Sequence, residues 1–323
     1  MGFRFIKNKG ANEIMYDTII IGSGPSGAAS AICLQKAGKK CLVLEKKQKI
    51  GEKICGGFLS AGAIKALKMI ELKPAELLEM GAVPIRSFVY SQNGMTKIST
   101  YQADEYGLGL TRHLLDNWLT KHALRAGAKI QFGEQVKSIT KKEHLFEVNS
   151  YNSSHVIIAT GANGLIPQKK CDIFRNQTFG LSAQITGITD LSQENVYFHM
   201  IGDNGFDYFW LIPNGRDIWN IGIWFQKVPK DPVSLFWLYK EKLVNPLFRS
   251  LVLIRDLKGA YCGNYSLSDQ FPFGCYTVGD AGGFNSPITG AGLRAAITSA
   301  IEASNSIING STQYINSLSS LRP

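Results

Sequence analysis

Tyr16-Asp17-Thr18-Ile19-Ile20-Ile21 runs straight into Gly22-Ser23-Gly24-Pro25-Ser26-Gly27, and then into Ala28 to Ala37, closed by Gly38. The first stretch is rich in β-branched residues and stops at glycine, the pattern of a buried strand. The last is a run of helix formers with a glycine stop. Cys41-Leu42-Val43-Leu44-Glu45 follows as a second short strand. Strand, glycine turn, helix and strand within ~30 residues make a βαβ unit. The glycines have separate tasks in such a turn. Gly22 permits the tight bend, Gly24 lets backbone approach a pyrophosphate, and Gly27 lets helix and strand pack closely. The helix start, at Pro25 and Ser26, offers unpaired N–H groups and partial positive charge to phosphates. Glu45 stands 18 residues beyond Gly27 and can accept from both hydroxyls of an adenosine ribose. Its charge repels a 2′-phosphate, so a tightly held dinucleotide other than NADP is expected.

The chain has 323 residues, 45% hydrophobic and 19% charged, enough to bury a core and too apolar for a disordered tail protein. Its net charge of +10 (35 − 25) suits anionic partners. The lysines are spread out without aromatic–basic alternation, so nucleic acid is not expected. Lys36, Lys39, Lys40, Lys46, Lys47 and Lys49 do cluster beside the glycine loop. They read as a solvated face, with a reductant's phosphate or an acidic membrane surface as the second reading. The six cysteines (33, 41, 55, 171, 262, 275) form no CxxC pair, no metal-ligand spacing stands out, and a reducing, cytoplasmic setting is expected. No apolar run approaches the ~20 residues of a membrane span. Residues 1–14 read as a loosely attached extension.

Further along, the patterns predict a helix over 61–72, a strand pair at 86–99 turning on Asn93-Gly94, and a helix from Thr111 to Ala126. His155 to Ala159 reads as a buried strand ended by Thr160-Gly161. Residues 178–225 are aromatic-rich and alternating. There Tyr208 to Ile212 and Asp217 to Phe225 flank Pro213-Asn214-Gly215-Arg216, an Asn-Gly hairpin signal. Trp219, Ile221, Ile223 and Phe225 share one face. Residues 233–253 read as helical, Tyr276-Thr277-Val278 as a short strand, and Ile288 to Ile308 as a final helix. Between those last two elements lie Gly279-Asp280 and Pro287-Ile288-Thr289-Gly290-Ala291-Gly292. Asp280 can bind a ribityl hydroxyl, a group that NAD lacks. The N–H groups of Gly290, Ala291 and Gly292 can face the flavin N1–C2=O edge and stabilise negative charge there. The expected cofactor is therefore FAD.

The glycine loop, Glu45, Leu110-Thr111-Arg112 with Leu115-Asp116, Ala159-Thr160-Gly161 and Val278-Gly279-Asp280-Ala281 follow one another in a familiar order. In them the chain resembles the FAD-dependent oxidoreductases that include p-hydroxybenzoate hydroxylase and, more closely, the geranylgeranyl reductases. The resemblance extends from Tyr16 to Ser304. It implies that Arg112 contacts the FAD phosphates and that Val136 meets the adenine through its backbone. It also sets Lys46, Thr160, Gly161 and Gly279 around the cofactor. Lys53-Ile54-Cys55-Gly56-Gly57-Phe58-Leu59-Ser60 is similar to the reductases' K-x-C-G-G-x-L-S. Tyr208 to Pro213, with Asn220-Ile221-Gly222, is similar to their Y-x-W-x-F-P and N-V-G. Such aromatics over a flavin make a flat wall for an unsaturated or aromatic substrate, or else are plain sheet core. Cys55, Tyr208 and Trp210 are the candidate catalytic residues, although a lone cysteine such as Cys55 reads equally as a small buried apolar residue.

The implied fold class is α/β: a Rossmann-like FAD-binding domain of glutathione-reductase type with an inserted β-rich substrate domain. Residues 1–60, 104–165 and 258–308 make the first, 61–103 and 166–257 the second, and 309–323 a tail. Two features depart from the family. Gly161-Ala162-Asn163-Gly164 stands where the hydroxylases have G-A-D-G, and only 15 residues follow Ile308. A smaller or more open site than the reductases' tunnel is expected. The leading function is hydride transfer through FAD, with NAD(P)H as transient donor, to or from an apolar conjugated or aromatic small molecule, as C=C reduction or dehydrogenation. Flavin-dependent hydroxylation is the second reading. A non-catalytic FAD-fold protein that binds a lipid or a partner is the alternative of another class.

Overall fold

The computed structural model describes residues 15–51, 53–102, 104–162, 178–202, 207–262, 274–286 and 289–311. The expected N-terminal extension, the Asn163-Gly164 turn and residues 312–323 lie outside them. The glycine turn sits where the sequence reading puts it, between β1 (Met15–Ile21) and α1 (Pro25–Lys36), and β2 (Cys41–Glu45) follows. Next come β3 (Phe58–Leu59), α2 (Ala61–Met69), α3 (Glu76–Glu79), β4 (Val83–Ile85), β5 (Ser87–Gln92), β6 (Met95–Thr100) and β7 (Gly107–Gly109). The helix α4 (Arg112–Arg125) leads into β8 (Lys129–Phe132), β9 (Ile139–Lys142), β10 (Leu145–Val148) and β11 (Tyr151–Ile158). Then follow β12 (Thr178–Ile188), β13 (Asn195–Ile201), β14 (Asp207–Gly215), β15 (Ile218–Phe225) and α5 (Pro232–Tyr239). The last elements are β16 (Arg249–Cys262), β17 (Tyr276–Thr277) and α6 (Leu293–Asn309).

Two large sheets result. In the first the order is β8-β2-β1-β11-β10-β9, with β17 also on β11. Strands β8, β2, β1, β11 and β17 run parallel. Both of their faces are covered, so Ile19 to Ile21 of β1 and Cys41 to Leu44 of β2 are apolar in unbroken runs. Ile20, Val43 and Ile157 turn toward α1, α4 and α6, while Ile19, Ile21, Leu42, Leu44, Val156 and Ile158 pack on Val136, Phe146 and Val148. The second sheet runs β16-β12-β15-β14-β13-β5-β6 and is antiparallel except where β13 meets β5. Its back face buries Phe209, Leu211, Trp219, Ile221 and Ile223 against Phe236 of α5. A third, small sheet joins β3, β7 and β4.

Three expectations are corrected. Asn214-Gly215 is not a turn: both residues close β14, and the chain reverses at Arg216-Asp217, with Asp217 at φ 59°. The inward alternation Tyr208, Trp210, Ile212 continues to Asn214, whose amide finds buried partners, and a bulge between Pro213 and Gly215 takes up the register. Helix does not persist over 233–253. The α-helix ends at Tyr239 and gives way to a π turn over Lys240–Val244 and a 3-10 turn over Asn245–Leu247, where Pro246 supplies no N–H, and Arg249–Cys262 is a long strand paired with β12. The last helix begins at Leu293, with Gly290 at φ 64° in the loop before it, and Ile288, its expected start, lies outside the described residues. Strands β8, β9, β10 and β13 have no counterpart in the sequence reading. Ala63, Ile64, Leu67 and Leu77 share a core with Ile32 and Ile297. Among the described residues no helix is long and apolar enough to cross a membrane.

Candidate functional site

The glycine turn is built by exclusion. A Cβ on Gly22, at φ 103°, would lie 2.4 Å from the Ala159 carbonyl oxygen, and one on Gly27 would lie 1.9 Å from that of Gly22. At Gly24 nothing stands within 4 Å of that position, so its backbone faces open space. Gly24 caps α1 without a side-chain acceptor, and the first-turn N–H groups are left for an anion. The Glu45 carboxylate is already oriented. Oε2 accepts from the Ser23 N–H and hydroxyl, both at 2.9 Å, and Oε1 accepts from the Lys47 N–H at 3.0 Å.

A cavity of about 1170 Å³ opens from this turn and passes between the two large sheets. It exceeds the ~300–1,000 Å³ of an ordinary ligand site. Gly22, Gly24, Pro25, Ser26, Glu45, Lys46, Val136, Thr160 and Gly161 line it together with Arg112, Asp280, Gly290, Ala291 and Gly292, and so do Cys55, Tyr208 and Trp210. Gly27 and Gly279 stand behind the wall. Gly279 packs on Ser26 and Ala296 and donates its N–H to Ser299 Oγ at 2.9 Å.

Two ion pairs, one buried and one half-exposed at its lysine, set the field along the cavity. Arg112 Nη2 meets Asp116 Oδ2 at 2.9 Å. Burial opposes the Arg112 charge, but the Asp116 carboxylate helps outweigh it and keep the guanidinium protonated. Lys53 Nζ lies 2.7 Å from Asp280 Oδ2 and keeps that carboxyl below its ordinary range despite burial.

The segment carrying Cys55 is strapped to the second sheet by residues the sequence reading did not single out for this. Asn220 Nδ2 donates to the Cys55 carbonyl at 3.1 Å, and Asn214 Nδ2 donates to those of Gly56 and Gly57 at 3.0 and 3.2 Å. Asn220 Oδ1 accepts from Trp210 Nε1 at 2.7 Å and from Ser182 Oγ at 3.1 Å. Arg255 Nη2 in turn donates to that serine oxygen at 3.0 Å. Gly57 must be glycine: its φ is 76° and a Cβ would sit 2.3 Å from the Leu110 carbonyl oxygen. The loop at 289–292 is braced from the same sheet. Tyr208 donates its hydroxyl to the Thr289 carbonyl at 2.7 Å, and the Trp224 ring fills the space beside Gly290. The signal available in sequence was the period of two, which puts Asn214 and Asn220 on the face of Trp210.

These residues fit FAD. The turn has an open backbone face and an uncapped helix start for a diphosphate, Glu45 is preset for a ribose, and the cavity continues past Asp280 with room for a ring system and a substrate. Comparison with known proteins agrees. Residues 15–155 match the family described as an FAD binding domain. The chain is 26% identical over 314 residues to digeranylgeranylglycerophospholipid reductase 1 of Methanococcoides burtonii, covering 89% of this chain and 73% of that protein. Among solved structures, a geranylgeranyl bacteriochlorophyll reductase-like protein of Thermoplasma acidophilum superposes with a TM-score of 0.76 at 22% identity, over 95% of this chain and 83% of that one. A flavin-dependent brominase superposes with a TM-score of 0.72 at 20% identity, over 92% and 79%. Residues 15–155 match an FAD-binding domain, and the chain has the fold of geranylgeranyl reductase-like proteins.

Proposed function

We propose that this protein reduces a carbon–carbon double bond in an elongated, apolar, unsaturated molecule. The observation that carries the reading is the floor of the cavity. It is laid by inward residues of six adjacent strands: Phe88 and Tyr90 of β5, Phe198 and Met200 of β13, Tyr208 and Trp210 of β14, Trp224 of β15, Gly180 and Ser182 of β12, and Ala260 of β16. Five inter-strand spacings make this floor about 24 Å wide, far more than one aromatic ring requires. Its surface is largely aromatic. Tyr90 stacks on Phe198 at 5.5 Å, and Phe198 meets Tyr208 edge-on at 5.4 Å. The relatives named digeranylgeranylglycerophospholipid reductase support the same substrate class.

FAD supplies the hydride chemistry; the chain's own residues bind, orient and exclude water. Gly22, Gly24, Pro25 and Ser26 take the diphosphate with Arg112, Glu45 takes the ribose, and Lys46, Val136, Thr160 and Gly161 close around the adenosine end. Gly27 and Gly279 shape the wall from behind. Asp280 with Gly290, Ala291 and Gly292 holds the ribityl chain and ring edge. Tyr208 and Trp210 form the wall against which the double bond lies. Cys55 Sγ, at the same end, holds the proton for the second carbon, so that hydride and proton together saturate the bond. NAD(P)H is the external donor and a cytoplasmic setting is proposed, supported by the four free thiols at Cys33, Cys41, Cys55 and Cys275.

The test is anaerobic. NADH or NADPH should bleach the yellow holoenzyme, and geranylgeraniol, as a polyunsaturated probe, should restore the colour and emerge with a saturated bond. A hydroxylated product formed only in oxygen would establish the monooxygenase reading. Colour that no donor bleaches would point to a binding protein.

A further inference from the structure

Resting on that reading, we infer that Gly180 and Ala260 form a side outlet through which the non-reacting part of an apolar chain leaves the site, toward Tyr261 at the sheet edge. Gly180 lies in the interior of β12, where glycine weakens a strand and marks either a close backbone contact or the approach of a ligand. Gly222, on the same sheet face, has the first explanation. A Cβ there would lie 2.0 Å from the Trp210 ring and 2.4 Å from the Leu181 carbonyl oxygen. Gly180 does not. The nearest atom to its Cβ position is a Trp224 ring carbon at 3.4 Å, an ordinary contact, and its backbone is not left-handed. Its absent side chain therefore serves the cavity.

The neighbours complete the channel. In register, Gly180 stands between Trp224 on β15 and Ala260 on β16, and all three line the cavity. Two adjacent small residues thus follow the large Trp224, on whose other side lies the loop at Gly290. Among the described residues β16 is the edge of the sheet, and no further strand pairs beyond Ala260. Tyr261, also a lining residue, is 42% exposed there. The floor is consequently asymmetric: crowded with rings toward β5, and low over Gly180 and Ala260 toward β16. An apolar chain reacting beside Trp210 runs out over the low side, where added methylenes are taken out of water.

The experiment titrates the FAD-loaded protein with geraniol, farnesol and geranylgeraniol from a common detergent, following heat of binding by calorimetry. In the wild type, affinity should rise along the series. Ala260→Phe, on an edge strand with room for a ring, should cost geranylgeraniol about tenfold or more and change geraniol by less than about twofold. Gly180→Ala, whose Cβ only touches Trp224, should give a smaller loss of the same kind and serves if the first variant folds poorly. Equal losses for long and short alcohols, no loss for either, or wild-type affinity independent of length would overturn the outlet and leave the proposed function standing. No binding of any alcohol by the wild type would overturn both.

Discussion

Lys53 and Asp280, 227 residues apart in sequence, share a 2.7 Å ion pair in the lining of the cavity. Asp280 carries one of the few fixed negative charges there, and Lys53 keeps it ionised. Asp280→Ala should purify with much less FAD per chain, read from its visible spectrum; full occupancy would contradict the role given to this carboxylate. The pH dependence has a definite sign. A carboxyl held below its ordinary value of about 3.9 adds stability above that pH and loses it as pH falls through the lower native value. Lys53→Met should therefore narrow the gap in stability between neutral and acid solution. Because the lysine side chain is 49% exposed, the effect in denaturant titrations should stay below about 1 kcal/mol.

Glu45 tests the adenosine end. Its two oxygens accept from three donors on Ser23 and Lys47, and Glu45→Gln would turn an NH2 group toward at least one of them. FAD affinity, measured by fluorescence titration of apoprotein, should fall by about 1.5–3 kcal/mol, tenfold or more.

Asn214→Ala strips the Gly56 and Gly57 carbonyls of an amide donor in a nearly buried place. It should destabilise the protein by about 1–3 kcal/mol in urea and loosen the Cys55 segment.

That segment can be watched directly through its thiol. Burial pushes Cys33 and Cys275 up to about 12 and Cys41 to about 11, so these three stay protonated near pH ~8. Iodoacetamide followed by peptide mass mapping should label Cys55 first among these four, and faster in Asn214→Ala. Labelling of Cys33 or Cys41 ahead of Cys55 would refute this.

The two faces of the second sheet should respond differently. Trp219→Ala removes a fully buried ring packed on Phe248 and should cost about 3–5 kcal/mol. Trp210→Phe keeps a ring at the cavity but loses the bond to Asn220. It should fold, bind FAD and turn over more slowly.

Much of this was legible in the chain, and the reasons are local. The turn at Gly22–Gly27 and the carboxylate at Glu45 announce themselves because each residue type is dictated by backbone conformation or ligand chemistry within one βαβ unit. Asn214 was misread for the opposite reason. An Asn-Gly pair favours a turn in isolation, but here the strand's alternation and the carbonyls of Gly56 and Gly57, far off in sequence, decide its place. The start of β16, Arg249 to Leu253, was taken for helix because its apolar run continues from a true helix, and its partner β12 is distant. The Lys53–Asp280 pair and the outlet at Gly180 depend on such distant neighbours too.

Three consecutive carbonyls, at Cys55, Gly56 and Gly57, are gripped from one half of the molecule, while two residues upstream Lys53 is gripped from the other. A body latched in this way cannot gape like a clam to admit a bulky guest. Molecules must thread in edgewise and slide along the aromatic floor. Traffic through the ends of that floor, rather than a hinge, then governs how large a guest can be processed and how quickly the product departs.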